Sequence, residues 1–342
     1  MTDQQQPKSI EYTPLNRQGR SPLWLRLLEQ YALVLLIAVI FVFFSTYSKS
    51  SQTFPTINNW NVILGGVSVV SLIAVGALFP MVCGYFDFSM GANAAMAQVM
   101  CAGFMIKNGA PLWLAVVLAV LLSSVVGVLN GLFVTKFNMS PFVTTLGMGM
   151  LLSGMMVYYT GGTTLVSGID RTLFDLGSSR VGGLPSVFFV TLAFAGVAWY
   201  FFTHTPFGRS LYAIGSNATA AKLVGVPLVK NVWFSLITAG FVAGCAGVMN
   251  LARQGSAIAS DGNYLLFPAL AAVFLGATAI RPGFMNVIGT LLGAILVSMS
   301  VSGLALSGAG GWASNVFNGA ALIIAVGLST YLGHRKRAGG TH

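Results

Sequence analysis

Charge is what this chain has least of. Only 7% of its 342 residues are Asp, Glu, Lys or Arg, where a water-soluble domain carries roughly 25%. Too little charge is present to cover a globular surface, so lipid is the solvent for most of the chain. Acids are scarcest, with 7 Asp and Glu against 17 Lys and Arg. Proton or ion relays need ionisable groups inside the membrane. Asp87 is the one acid read inside the apolar region, with no second acid or base in any span. An ion-coupled secondary transporter of a small polar solute is therefore the less favoured alternative. The 3 cysteines form no CxxC pair or Cys/His cluster, which argues against a disulfide frame or metal site. HExxH, GxSxG and Walker A patterns are missing, so no catalytic residue is assigned and no cofactor is expected on this chain. Strict apolar/polar alternation is also missing, against a β-barrel.

What is present is long apolar sequence. The hydrophobic fraction is 56% and the mean hydropathy +0.81. Runs near the 20 residues needed to cross a bilayer fall at 31–47, 60–82, 90–106, 112–134, 142–159, 187–202, 232–251, 265–280, 285–306 and 316–332. The reading is an all-α polytopic membrane protein with about ten transmembrane helices. Its 41 glycines would weaken soluble helices but suit close-packed membrane helices. Broken or re-entrant segments are expected near 84–91 and 265–283, where glycines interrupt short spans. Paired interruptions of this kind mark transporter repeats.

The net charge of +10 does not point to nucleic acid, because the basic residues flank apolar runs. With the N-terminus inside, the inner side holds Lys8, Arg17, Arg20, Arg26, Lys136, Arg209, Lys222, Lys230, Arg281, Arg335, Lys336 and Arg337. The outer side holds Lys49, Lys107, Arg171, Arg180 and Arg253. Basic residues favour the cytoplasm, so both termini are placed inside. The expected layout is a cytoplasmic tail over 1–30, one transmembrane domain over 31–333 and a basic tail over 334–342. Two loops stand out, an outer one at 160–186 and a cytoplasmic one at 203–230. The outer loop reads either as a docking surface for an external protein or as a solvated connector.

The cytoplasmic loop is the most polar stretch between spans. Asn217 or Ser216 can cap a short helix beginning at Ala218, Gly225 ends it and Pro227 prevents its continuation. A helix of about two turns is marginal alone in water, so a partner should pack on it. Asp87 and Ser89 lie in a Gly84–Gly91 break, read either as a gate or as the cap of the third span. Asn93, Asn130, Thr144 and Asn286 lie in or beside spans. Neutral amides and hydroxyls suit a neutral polyhydroxylated ligand, or serve as helix-to-helix glue.

Four blocks carry a resemblance over roughly residues 60–330. They are Gly84–Gly91, Asn130-Gly131 through Pro141–Gly147, Thr205-Pro206-Phe207-Gly208-Arg209 through Gly225-Val226, and Ala271–Gly276. In order and spacing the chain resembles the ribose/galactose-type permeases of bacterial ATP-binding cassette importers. That resemblance implies a multi-pass inner-membrane subunit that translocates a sugar or sugar-like molecule and is not itself an enzyme. ATP would be hydrolysed on a partner ATPase subunit. A periplasmic solute-binding protein and a second permease copy or paralogue would complete the assembly. Gly208, Arg209, Gly215, Asn217, Ala220, Ala221, Lys222 and Gly225 would form the ATPase-coupling element. Asp87, Ser89, Asn93, Asn130, Thr144 and Asn286 are the candidates for the translocation pathway or gate. Ala277 and Arg281-Pro282 replace a glycine-rich run of the family, so the family's local turn does not carry over there.

Overall fold

A computed structural model describes residues 23–339, which hold thirteen helices and one two-stranded hairpin. In chain order the helices are α1 (Leu23–Thr46), α2 (Ile57–Val82), α3 (Met90–Asn108), α4 (Leu112–Thr135), α5 (Pro141–Thr160) and α6 (Arg171–Ser178). The hairpin β1 (Arg180–Val181) and β2 (Leu184–Pro185) follows. Then come α7 (Ser186–His204), α8 (Pro206–Ser216), α9 (Ala218–Leu223), α10 (Leu228–Gln254), α11 (Gly262–Gly276), α12 (Val287–Leu306) and α13 (Gly311–Gly339). Of the expected tails, residues 1–22 and 340–342 lie outside the described residues.

Among the described residues seven helices are long and apolar enough to cross a membrane: α2, α4, α5, α7, α10, α12 and residues 311–331 of α13. Apolar helix also covers 30–46 of α1 and 264–276 of α11, over shorter lengths. The fold is thus all-α and polytopic.

Helices α2 and α10 form its centre, 78% and 61% buried over their apolar windows, whereas α4, α5 and α7 present exposed apolar faces. Close backbone approach joins α4 to this centre. Gly127 of α4 lies against the Leu236 carbonyl of α10, and a Cβ on Gly240 would sit 2.6 Å from the Ser123 carbonyl of α4. Lipid gives apolar helices no hydrophobic reason to associate, so van der Waals contact at small residues holds the pair. A larger side chain at either glycine would force α4 and α10 apart.

Helix ends are capped where they leave the bundle. Thr56, Asp170, Thr205, Asn217 and Asn286 each accept a hydrogen bond from the first turn of α2, α6, α8, α9 and α12. Free N–H groups at these starts need such partners.

Two expectations change in extent. The interruption read at 265–283 is helical as far as Gly276, with Pro268 accommodated inside α11, and the irregular backbone is confined to residues 277–286. There Ile280 takes a left-handed φ of 61°, a strained choice for a β-branched residue. Its N–H donates to the Gln30 carbonyl at 3.1 Å, which ties this turn to α1. The loop at 160–186, expected on the outer side, contains a small folded cap. A Gly182-Gly183 turn closes its hairpin, Leu173 is buried, and Gly177 is pressed against the Ala252 backbone at the end of α10.

Candidate coupling segment and buried polar site

Residues 205–227 contain two helices where the sequence reading placed one. Thr205 caps α8 with its hydroxyl, which accepts from the Gly208 N–H at 3.2 Å, and Pro206 occupies the first turn. Proline suits that position because its missing N–H would be unpaired anyway. Leu211 and Ile214 bury α8 in the core, and the Tyr212 hydroxyl donates to the Met285 carbonyl at 2.7 Å. Asn217 ends α8 and starts α9, its Oδ1 accepting from the Ala220 N–H at 3.0 Å. Gly225, at φ 85°, closes α9 with two reverse bonds: Val226 N–H to Ala221 O at 3.0 Å and Gly225 N–H to Lys222 O at 3.1 Å. This is the Schellman arrangement, for which glycine is favoured.

Only Ala221 of α9 is buried; it seats the helix on the body. Ala220, Lys222 and Arg209 are exposed. Just beyond them Leu223 and Val224 stand 84% and 79% exposed. The sequence reading missed this apolar tip. Both lie outside any long apolar run.

The segment touches the first helix break directly. Gly208 packs against the Phe201 carbonyl and Gly215 against the carbonyl of Val82, the last residue of α2. Phe202 packs between Phe79 of α2, tilted at 4.7 Å, and Tyr212 of α8, edge-on at 5.9 Å between ring centroids. Beyond Val82 the chain turns through residues 83–89 into α3. Phe86 in that turn stacks on Phe274 of α11 at 6.0 Å, so the first break meets the helix that leads into the second.

The turn contains a buried polar cluster. Asp87 Oδ1 accepts from the Ser89 N–H at 2.9 Å and the Ser89 hydroxyl at 2.6 Å. Asn130 of α4 donates to Ser89 Oγ at 2.9 Å. Asp87 is 4% exposed, and Ser89 and Asn130 are fully buried. Neither Asp87 nor Ser89 accepts from the first turn of α3, so the expected side-chain cap does not form. Asp87 instead fixes the turn before the helix. Thr145 of α5 closes the other side, accepting from the Phe88 N–H at 3.0 Å. Thr144 is buried one position away with its hydroxyl unpartnered, as is Asn130 Oδ1. Asn93 donates to the Ser123 carbonyl of α4 at 3.1 Å, which makes it helix-to-helix glue with a free Oδ1.

Asn286 does not join this group through any hydrogen bond. Its Oδ1 accepts from Gly289 N–H at 2.7 Å, and its Nδ2 donates to carbonyls of the 276–284 turn. It is a structural cap of α12.

A second polar cluster went unrecognised as a unit. Gln98 of α3 accepts from Asn250 of α10 at 3.0 Å and donates to the Ser256 carbonyl at 2.7 Å. Gln254 donates to Asn250 at 2.8 Å. Asp261, before α11, lies beside these three amides; burial pushes its carboxyl above the ordinary range while the amides pull it back. The sequence signal was an acid at the start of a marginal span. Among the described residues no group of three His, Cys, Asp or Glu is placed to hold a metal.

Comparison with known proteins matches this arrangement to a family. Residues 60–326 match the model described as the permease component of the branched-chain amino acid transport system. The chain is 32% identical over 306 residues to the ribose import permease protein RbsC of Escherichia coli K12, covering 88% of this chain and 93% of that one. It is 31% identical to the probable ABC transporter permease protein YphD of the same organism, over 88% and 90% of the two chains. Against the autoinducer 2 import system permease protein LsrD of Photorhabdus luminescens it is 28% identical, over 78% and 82%. With two capped helices outside the long apolar runs, a broken-helix polar site inside and these matches across most of its length, the chain belongs to this permease family: it is a multi-pass inner-membrane subunit of an ATP-binding cassette importer and not itself an enzyme.

Proposed function

We propose that the chain imports a sugar or sugar-like molecule, driven by ATP hydrolysis on a separate subunit that docks on α9. The observation that carries this reading is the exposure of Leu223 and Val224, at 84% and 79%, on a helix fixed by Asn217 and Gly225. The contact then passes through α8 and Gly215 to the end of α2 and the Asp87 turn. ATP binds the partner, and this chain contributes the lever.

In this reading ten helices span the bilayer, with α1, α3 and α11 joining the seven long ones, and both termini are cytoplasmic. The membrane domain covers 31–333, with the coupling loop at 203–230 and the outer loop at 160–186. The folded α6 and hairpin cap receives the substrate-binding protein. A second permease copy or paralogue packs along α13, where Asn315 is exposed on the face that also carries Gly311 and Gly319. A lone amide facing lipid is costly, whereas one facing another helix can hydrogen-bond across the interface.

Asp87, Ser89, Asn93, Asn130 and Thr144 form the gate on the cargo path. Asn286 positions the neighbouring turn. The buried cluster supports a neutral polyhydroxylated cargo over an amino acid. It offers free amide and hydroxyl atoms at Asn93, Asn130 and Thr144, and its one charged group is an acid. An amino acid carboxylate would need a cation there. The test is uptake into vesicles carrying the permease, its ATPase and a loaded binding protein. Ribose should enter with ATP and be insensitive to ionophores. Uptake that follows an ion gradient without ATP would support the secondary-transporter alternative.

A further inference from the structure

A cavity of about 210 Å³ lies under the α6 cap, between the start of α2, the start of α7 and the end of α10. Asn58, Asn61, Ser178, Arg180 and Arg253 are its polar lining, with no acidic side chain among the lining residues. Four helix ends meet here. Two are N-termini, of α2 and α7, and two are C-termini, of α6 and α10. Their dipoles oppose one another, so the two guanidinium groups set the sign of the site. Asp170, which caps α6, and Asp175 within it are exposed and do not line it.

The lining is chemically incomplete. Asn61 is 7% exposed, yet neither its Nδ2 nor its Oδ1 has a hydrogen-bond partner among the described residues. Arg253 Nε is buried and unpartnered as well. Buried polar groups left in this state call for a ligand or ordered water. The volume is the share of about seven waters, more than one small ion fills.

We propose that this cavity binds the phosphodiester headgroup of an anionic phospholipid. The Arg253 and Arg180 guanidiniums and the Asn61 amide N–H suit phosphate oxygens. Asn61 Oδ1 needs a donor, which an ionised carboxylate lacks and a glycerol headgroup hydroxyl supplies. An ammonium headgroup would be repelled by the two arginines. In the lining, Val62 of α2 is 68% exposed, where acyl chains would lie. The site therefore reads lipid from the flank of the bundle, independently of the cargo.

The test uses the purified permease with its ATPase subunit, analysed by native mass spectrometry after addition of phosphatidylglycerol, phosphatidylcholine or sodium phosphate. Phosphatidylglycerol should be retained over phosphatidylcholine. Arg253→Gln should weaken its retention about tenfold, as expected for losing one charge-assisted bond. Arg180→Gln changes an exposed residue, so the protein should fold normally and still lose retention. Equal retention of both lipids, or variants indistinguishable from wild type, would overturn the proposal. Occupancy by inorganic phosphate that displaces the lipid would assign the site to a free ion instead.

Discussion

Gly215→Ala tests whether α8 transmits force to the Asp87 turn. Residue 215 has no side chain, and its backbone lies against the Val82 carbonyl. An added methyl would overlap that oxygen and reach 3.4 Å from Cys83 Cα. Either α8 lifts or the end of α2 gives way. Lifting would uncover Leu211 and Ile214, now 0% and 3% exposed. Each such side chain contributes about 1.5–3 kcal/mol by burial, so lifting costs more than the roughly 1–3 kcal/mol typical of overpacking. The helix should stay seated and the strain should pass into residues 83–89. A bias of about 1–3 kcal/mol on a two-state gate shifts it roughly 5- to 150-fold. Import per ATP hydrolysed in vesicles should therefore fall at least about fivefold, while the ATPase subunit still co-purifies. Gly147→Ala is the control, because a Cβ there meets nothing within 4 Å. Normal import per ATP in Gly215→Ala would refute the proposed lever.

Two further variants probe the ends of the same lever. Asp87→Ala leaves the buried Ser89 N–H and hydroxyl without their acceptor, which should cost about 1–3 kcal/mol and lower the thermal midpoint in detergent. Asp87→Asn keeps an acceptor oxygen and should cost less in the same measurement. Asn217→Ala removes the cap of α9 and should cost about 1 kcal/mol. ATPase affinity in a pull-down titration should fall about fivefold, with Asn217→Ser restoring it.

Much of this architecture was written in local pattern. Apolar runs located the long helices, and Asn217 with Gly225 bounded α9, because caps and stops are local chemistry. Thr205-Pro206 carried the same kind of signal for α8, a capping residue followed by an N1 proline, and was read as loop. Contacts made at long range were not legible. Nothing near Gln98 announces Asn250, 152 residues away, and nothing near Asp87 announces Thr145. Ile280 in a left-handed turn could not be foreseen either, since the strain is accepted only because Asn286 and Gln30 hold that turn in place. The outer cap was hidden for a related reason: Gly177 looks like a loop glycine until α10 is packed beneath it.

Site-specific crosslinking on α9 tests the docking claim most directly. Single cysteines would replace Ala220, Ala221 and Lys222 in a background lacking Cys83, Cys101 and Cys245. Exposed positions 220 and 222 should trap the ATPase subunit, and buried position 221 should not. Absence of any ATPase adduct from both positions 220 and 222 would contradict the assignment of α9 as the motor's docking place.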